Sequence, residues 1–112
     1  MNRLIRVESH PNSRVRDFHI NRVVSQSVIE HFMRPLRNRS ESYLTKVGDP
    51  GAEVVRSLMR LPGVTEIFIK PYVVGVHISD VHDWDSLEPS VLRVLCTKVF
   101  GTDLNDVQIE HK

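Results

Sequence analysis

The sequence has 112 residues, of which 40% are hydrophobic and 26% charged, with six proline and five glycine residues. This length suits one domain around a single core, and the composition is typical of a globular protein and not of a disordered one. The single cysteine excludes a disulfide within the chain, and it excludes a zinc or iron–sulfur centre built from two of the chain's own thiolates.

The net charge of +1 is unevenly distributed. Residues 1–46 contain nine basic and four acidic residues, whereas residues 47–112 contain six basic and ten acidic ones. A basic half can mark a nucleic-acid surface, but these arginines are scattered and no aromatic residues lie between them to stack on bases. We therefore expect no nucleic-acid partner, and the two halves can instead complement each other within one fold.

The N-terminus predicts neither a secretion signal nor a membrane anchor. Arg3 and Arg6 interrupt its first apolar residues, and a signal peptide needs an uninterrupted apolar region. No apolar run in the sequence approaches the roughly 18 residues that a membrane span requires. We therefore expect a cytoplasmic protein without a membrane partner.

Two strands joined by a turn are predicted in the first part of the chain. Leu4–Val7 is apolar and β-branched, and Arg14–Asn21 alternates between apolar and polar residues. Pro11-Asn12-Ser13 lies between them, and these residue types favour a tight turn. Residues 22–48 receive no assignment, because their apolar pattern fits either a helix or broken strands.

The second half predicts two helices and a second hairpin. One helix spans residues 50–61 and the other residues 85–100, and both have apolar residues at helical spacing. Between them, Val64–Lys70 and Val73–Ser79 alternate as strands do, with Val64 and Phe68 on the face opposite Ile67. The predicted fold is α+β, with two β-hairpins in one mainly antiparallel sheet and two or three helices packed on it. Residues 1–101 form the domain and residues 102–112 a tail.

Three segments, in this order, resemble the N-terminal domain of the Nfu/NifU-type iron–sulfur cluster scaffold proteins. Glu8–Ser13 is similar to the family's Pro-Asn-Pro-Asn-Ser turn after an opening strand. Asp49-Pro50 and Leu58–Ile69 resemble its helix start, helix end and following strand. Asp83–Pro89 resembles its Asp-Trp-x-x-Leu-Lys-Pro segment. The similarity extends over residues 3–100.

This resemblance implies a role in iron–sulfur cluster assembly or delivery through contacts with other iron–sulfur assembly proteins. Family members usually carry a second domain whose Cys-x-x-Cys pair holds the cluster, and these 112 residues contain only Cys96. Because Cys96 lies beside the apolar stripe of the last predicted helix, we interpret it as a buried structural thiol. We therefore expect an accessory protein that is not an enzyme and holds no cluster or other cofactor by itself.

Two other functions stay open at this point. One is a general protein-interaction module with no role in iron–sulfur chemistry. The other is a mononuclear iron protein, for which His77, Asp80, His82 and Asp83 are the candidate ligands. Imidazole and carboxylate groups suit iron, but turn formation and helix capping explain these aspartates more simply.

An interaction surface is predicted at the second hairpin. Phe68 and Tyr72 lie near its tip. If the helices cover only one face of the sheet, the other face carries Phe68, and an exposed apolar patch there would mark a surface for a partner or for a homodimer.

Overall fold

The computed structural model describes residues 2–112, which form one sheet of six strands with helices on one of its faces. The strands are β1 (Leu4–Ser9), β2 (Val15–Ile20), β3 (Glu30–Met33), β4 (Val64–Lys70), β5 (Val73–Ile78) and β6 (Gln108–His111). Their order across the sheet is β3-β4-β5-β2-β1-β6. Every neighbouring pair is antiparallel except β1 with β6, which is parallel. The predicted α+β fold with a mainly antiparallel sheet is confirmed.

Three α-helices belong to the second layer: α1 (Ser40–Val47), α2 (Gly51–Met59) and α3 (Trp84–Leu95). A π-helical segment, Cys96–Phe100, continues α3 up to Gly101, whose φ of 65° ends the helix. The predicted helices correspond to α2 and to α3 with this continuation. Among the described residues, no helix has the length and apolar character needed to cross a membrane.

The core lies between the helices and one face of the sheet. Alternate strand residues, such as Ile67 and Ile69 on β4, are fully buried there against apolar residues of α2 and α3. Val64 is also fully buried, although the simple alternation placed it on the other face. The reason is an irregularity in the β4–β5 pairing between Val64 and Glu66, where one extra residue reverses the side to which the preceding side chains point.

The structure corrects the predicted tail at residues 102–112. A short 3-10 helix, Leu104–Asp106, leads into β6, which pairs with β1 in parallel. Val107, just before β6, is buried in the core. These residues are therefore an integral part of the sheet, joined to it by a pairing that no local sequence pattern reveals.

Ion pairs connect the basic first half of the chain with its acidic second half. Three arginines of the first half contact carboxylates of the second half: Arg6 with Glu110 at 3.2 Å, Arg14 with Asp80 at 3.2 Å and Arg16 with Glu88 at 2.6 Å. The two oppositely charged halves therefore contact each other through these pairs.

Candidate functional site

The sheet face opposite the helices, here called the open face, carries polar and aromatic side chains. Strand residues that alternate with the buried ones point to this side. The open face includes Arg6, Glu8, Val15, Asp17, His19, His31, Glu66, Phe68, Val73, Gly75 and His77. The buried helical residues pack against the other face. Most open-face side chains within residues 2–112 are exposed or half-buried, whereas Val15 and Gly75 are buried.

Phe68 lies at the centre of a cluster on the open face. Its ring stacks in parallel on the ring of His31, with 4.1 Å between ring centroids, and it is tilted against the ring of His77 at 5.4 Å. Both histidines also approach one oxygen of Glu66, His31 Nε2 at 3.1 Å and His77 Nδ1 at 4.0 Å. Strands β3, β4 and β5 thus contribute neighbouring side chains to one small patch.

A groove runs beside Phe68 because residue 75 has no side chain. A Cβ atom at Gly75 would lie 2.9 Å from Asp17 Oδ1 and 3.7 Å from Phe68 Cβ. The resulting cavity has a volume of about 350 Å³, and His10, Val15, Lys70 and other open-face residues line it. Its lining combines apolar atoms with imidazole and charged groups, which suits the side chains of a protein partner.

The far side of the open face carries a second carboxylate–histidine pair. Glu8 Oε1 lies 2.7 Å from His19 Nε2. This hydrogen bond, with the positive charge of Lys112, lowers the pKa of Glu8 below its usual value. The carboxylate therefore stays ionised and strengthens the polar character of this part of the face.

The structure separates the two residues predicted for an interaction surface. Phe68 is partly buried within the groove, whereas Tyr72 lies in the turn between β4 and β5 and is 53% exposed. Tyr72 lines a separate shallow depression with Leu4 and Arg6. The sequence pattern does not place His31 in this cluster, because its strand lies within residues 22–48, which fit either a helix or broken strands.

The four metal-ligand candidates do not come together. Each has a different role: His77 faces Glu66, Asp80 pairs with Arg14, His82 Nδ1 lies 2.7 Å from the Ser79 hydroxyl, and Asp83 caps α3 by accepting from the Ser86 amide. Within residues 2–112, no group of three or more His, Cys, Asp or Glu side chains is placed to hold a metal ion. The predicted capping role of the aspartates is confirmed for Asp83.

Cys96 is fully buried in the core where α3 becomes π-helical. Burial raises the pKa of its thiol, and the negative charge of Asp103 adds to this effect. A thiol that is both buried and protonated is a poor nucleophile and a poor metal ligand. The interpretation of Cys96 as a structural thiol agrees with this geometry.

We expect the thiol of Cys96 to react with a water-soluble disulfide reagent only when the fold opens. Its rate in native buffer should be about a hundredfold or more below that in denaturant, because local opening must precede modification. The matched control is Thr97→Cys in a Cys96→Ala background, because Thr97 directly follows Cys96 in the chain and its side chain is exposed. Equal reaction rates for Cys96 and Cys at position 97 in the native state would contradict this prediction.

Comparisons with known proteins agree with the fold. The family model described as "Scaffold protein Nfu/NifU N terminal" matches residues 5–100. A crystal structure of a Staphylococcus aureus protein is similar with a TM-score of 0.62 at 15% identity, covering 85% of this chain and 99% of that one. A NifU-like protein of Saccharomyces cerevisiae, solved by NMR, has a TM-score of 0.64 at 14% identity, covering 88% and 80%. No curated protein sequence matches the chain.

Proposed function

The chain belongs to the Nfu/NifU N-terminal family of scaffold proteins, and from this premise we propose that it is an accessory protein of iron–sulfur cluster assembly or delivery. Membership of the family relates the chain to cluster assembly. The accessory role, through contacts with other assembly proteins and without a bound cluster, is our proposal. The protein acts in the cytoplasm through contacts with other assembly proteins, holds no cluster by itself and catalyses no reaction of its own.

The chemistry of the chain's possible ligands supports the accessory role. Protein-bound iron–sulfur clusters are normally held by four thiolates, or by two thiolates with two histidines. The single thiol of the sequence, Cys96, is buried among apolar side chains with a raised pKa. At least two ligands of a cluster must be thiolates at a site that the cluster can reach. The 112 residues therefore supply contacts and not cluster ligands.

The observation that carries the proposal is the groove on the open face. Phe68, whose ring stacks on His31, lines a concave surface that exists because Gly75 lacks a side chain. Partner contacts concentrate at such places, where an aromatic anchor and a pocket lie side by side. We therefore place the partner-binding surface of this domain at the groove.

The test is affinity capture of partner proteins by the full chain under anaerobic conditions. Two variants alter the groove: Phe68→Asp places a charge in it, and Gly75→Val fills it without changing the charge. We expect both to reduce recovery of iron–sulfur assembly proteins about tenfold, which corresponds to about 1.4 kcal/mol at a central contact. Valine favours strands, and the one close neighbour of its Cβ is the carboxylate end of Asp17, which can rotate away, so Gly75→Val should keep the fold. Thermal unfolding checks this.

Val81→Asp is the matched control, because it also puts a carboxylate on an apolar residue that is 88% exposed but lies outside the groove. It should leave the capture unchanged. Recovery of no assembly protein by the unaltered chain would refute the proposed role. Recovery that is insensitive to both groove variants would leave the role standing and remove the groove as its surface. Stoichiometric iron in the purified protein would instead favour the mononuclear iron alternative.

A further inference from the structure

Strand β3 forms one edge of the sheet and has a free backbone side. The Arg34 amide donates to the Thr65 carbonyl at 2.9 Å, and hydrogen-bonded pairs alternate along an antiparallel ladder. Phe32 therefore points its backbone groups toward β4, whereas His31 and Met33 point theirs away from the sheet. Among the described residues, no other segment hydrogen-bonds to the backbone of His31 or Met33. Such an edge can accept another strand.

A cavity of about 550 Å³ lies beside this edge, and its lining is basic and partly apolar. The lining residues are His31, Phe32, Met33, Arg34, Pro35, Arg37, Arg39, Ser40 and Tyr43. They include three arginines and no carboxylate. Met33 is 57% exposed and Tyr43 is 46% exposed, so the arginines surround accessible apolar surface.

Arg37 and Arg39 differ from Arg6, Arg14 and Arg16, which lie in the same half of the chain. The ion pairs of residues 2–112 include neither of them, although Arg6, Arg14 and Arg16 are all paired with carboxylates. The turn that carries them is nevertheless held in place. Around Arg37, the Ser40 amide donates to the Arg37 carbonyl at 2.9 Å, and the Arg37 amide donates to the Ser40 hydroxyl at 3.1 Å. Two positive charges, neither in an ion pair within residues 2–112, are thus positioned beside the strand edge.

We propose that the β3 edge binds an extended acidic segment of a partner protein, which adds to the sheet as an antiparallel strand. Its N-terminal half lies beside the end of β3 and places carboxylates on Arg37 and Arg39. Its second half lies along the start of β3, where apolar side chains meet Ile29 and Val28, which are 50% and 83% exposed. Backbone hydrogen bonds to His31 and Met33 supply the pairing, and the charges select the segment.

Charge decides between this partner and a second copy of the chain. A second β3 strand, Glu30–Met33, would bring at most one carboxylate, Glu30, toward Arg37 and Arg39. An acidic segment neutralises them instead. The β3 edge adjoins the groove at Ile29, but Met33, Arg37 and Arg39 do not line the groove, so this proposal and the proposed function are tested by different variants.

The first experiment follows amide hydrogen exchange by NMR in the full chain. The probe is a short synthetic peptide with Asp and Glu in its first half and Val and Thr in its second. We expect the amides of His31 and Met33 to exchange at least about tenfold more slowly with the peptide bound, because exchange then requires opening of the added hydrogen bonds. The amide of Phe32, already bonded within the sheet, should change little. Binding without protection at His31 and Met33 would overturn the strand addition.

The second experiment measures the affinity of the same labelled peptide for charge variants. Arg37→Ala with Arg39→Ala should weaken binding about tenfold, as expected for the loss of two exposed charge contacts. Arg93→Ala with Lys98→Ala removes two exposed positive charges from α3 and its continuation, and it should leave the affinity nearly unchanged. Met33→Pro removes an outward-facing donor but no hydrogen bond to β4, and it should also weaken binding. Thermal unfolding shows which variants keep the fold.

Three outcomes contradict the proposal. If the Arg37/Arg39 and Arg93/Lys98 double variants lose the same amount of affinity for the peptide, only the overall charge of the protein matters. Tighter binding of a single-stranded oligonucleotide than of the peptide would point to a nucleic-acid surface. Concentration-dependent dimers that disappear with Met33→Pro, together with no peptide binding, would assign the edge to a second copy.

Discussion

Gly51→Ala is expected to destabilise the fold by about 3 kcal/mol, although alanine normally favours a helix over glycine by about 1 kcal/mol. A Cβ atom at Gly51 would lie 2.2 Å from the Val24 carbonyl oxygen and 2.5 Å from Val47 Cγ1. The Val24 backbone cannot withdraw easily, because its amide is bonded to the Pro71 carbonyl at 2.7 Å. The start of helix α2 must therefore move away from Val24 and Val47.

Denaturant unfolding measures the change in the free energy of unfolding. In thermal unfolding, the melting temperature should fall by on the order of 10 °C. Gly101→Ala is the control. Gly101 has a φ of 65° and open space around its Cβ position, so alanine there has only the cost of the left-handed backbone, about 1 kcal/mol. A Gly51→Ala protein as stable as the unaltered one would show that α2 can shift at little cost.

The second large effect is expected for Arg34→Met, at about 2 kcal/mol of folding stability. The Arg34 guanidinium donates to the carbonyls of Val64 at 2.7 Å and Leu61 at 2.8 Å, and also to that of Met59. These carbonyls lie at the end of α2 and at the start of β4, where the helix leaves acceptors without partners of its own. Hydrogen bonds from a charged donor are among the stronger ones, and partial exposure of this site reduces their contribution.

Arg34→Lys should recover only a minor part of the loss, because one ammonium group cannot reproduce the forked geometry of a guanidinium on several acceptors. Arg37→Met is the matched control, since Arg37 lies nearby without an ion pair among the described residues. Chemical unfolding of the three variants gives the comparison. Equal stability of the Arg34→Met and Arg37→Met proteins would show that the carbonyls are satisfied equally well by water.

The sequence predicted the elements whose patterns are local. Strand Val64–Lys70 was predicted with the bounds that the structure shows, because alternation and flanking proline and glycine residues define it. The apolar stripe of α3 was also predicted, since helical spacing alone places Leu87, Val91 and Leu95 on one side, and all three are buried. Such patterns determine which residues form an element, but not which strands become neighbours.

The missed elements depend on distant pairing. Strand β3 contains Glu30, His31 and Met33 around one buried Phe32, so its four residues show little apolar periodicity. Strand β6 is also short and polar, and it exists because β1 offers an edge about a hundred residues earlier in the chain. Helix α1 has only eight residues and buries Leu44 and Val47. Tertiary contacts stabilise such short elements more than their own propensities do.

The candidate site shows the same division. Phe68 was predicted for an interaction surface from alternation on its own strand, whereas His31 and the role of Gly75 emerge only from the order and register of β3, β4 and β5. Likewise, the metal candidates near the end of the second hairpin are close in sequence, but the fold directs their side chains to separate partners. Proximity along the chain does not determine a shared site.

By itself, the sequence determined the single buried thiol, the α+β class and the family, because these follow from composition, local periodicity and short motifs. Its uneven charge was visible from the start, but only the tertiary structure decided what that charge does. Long-range packing pairs Arg6, Arg14 and Arg16 with acidic residues of the second half. The same packing leaves Arg37 and Arg39 beside an open strand edge. The reason is physical: an ion pair depends on a distance of a few ångströms in space, which chain position does not encode.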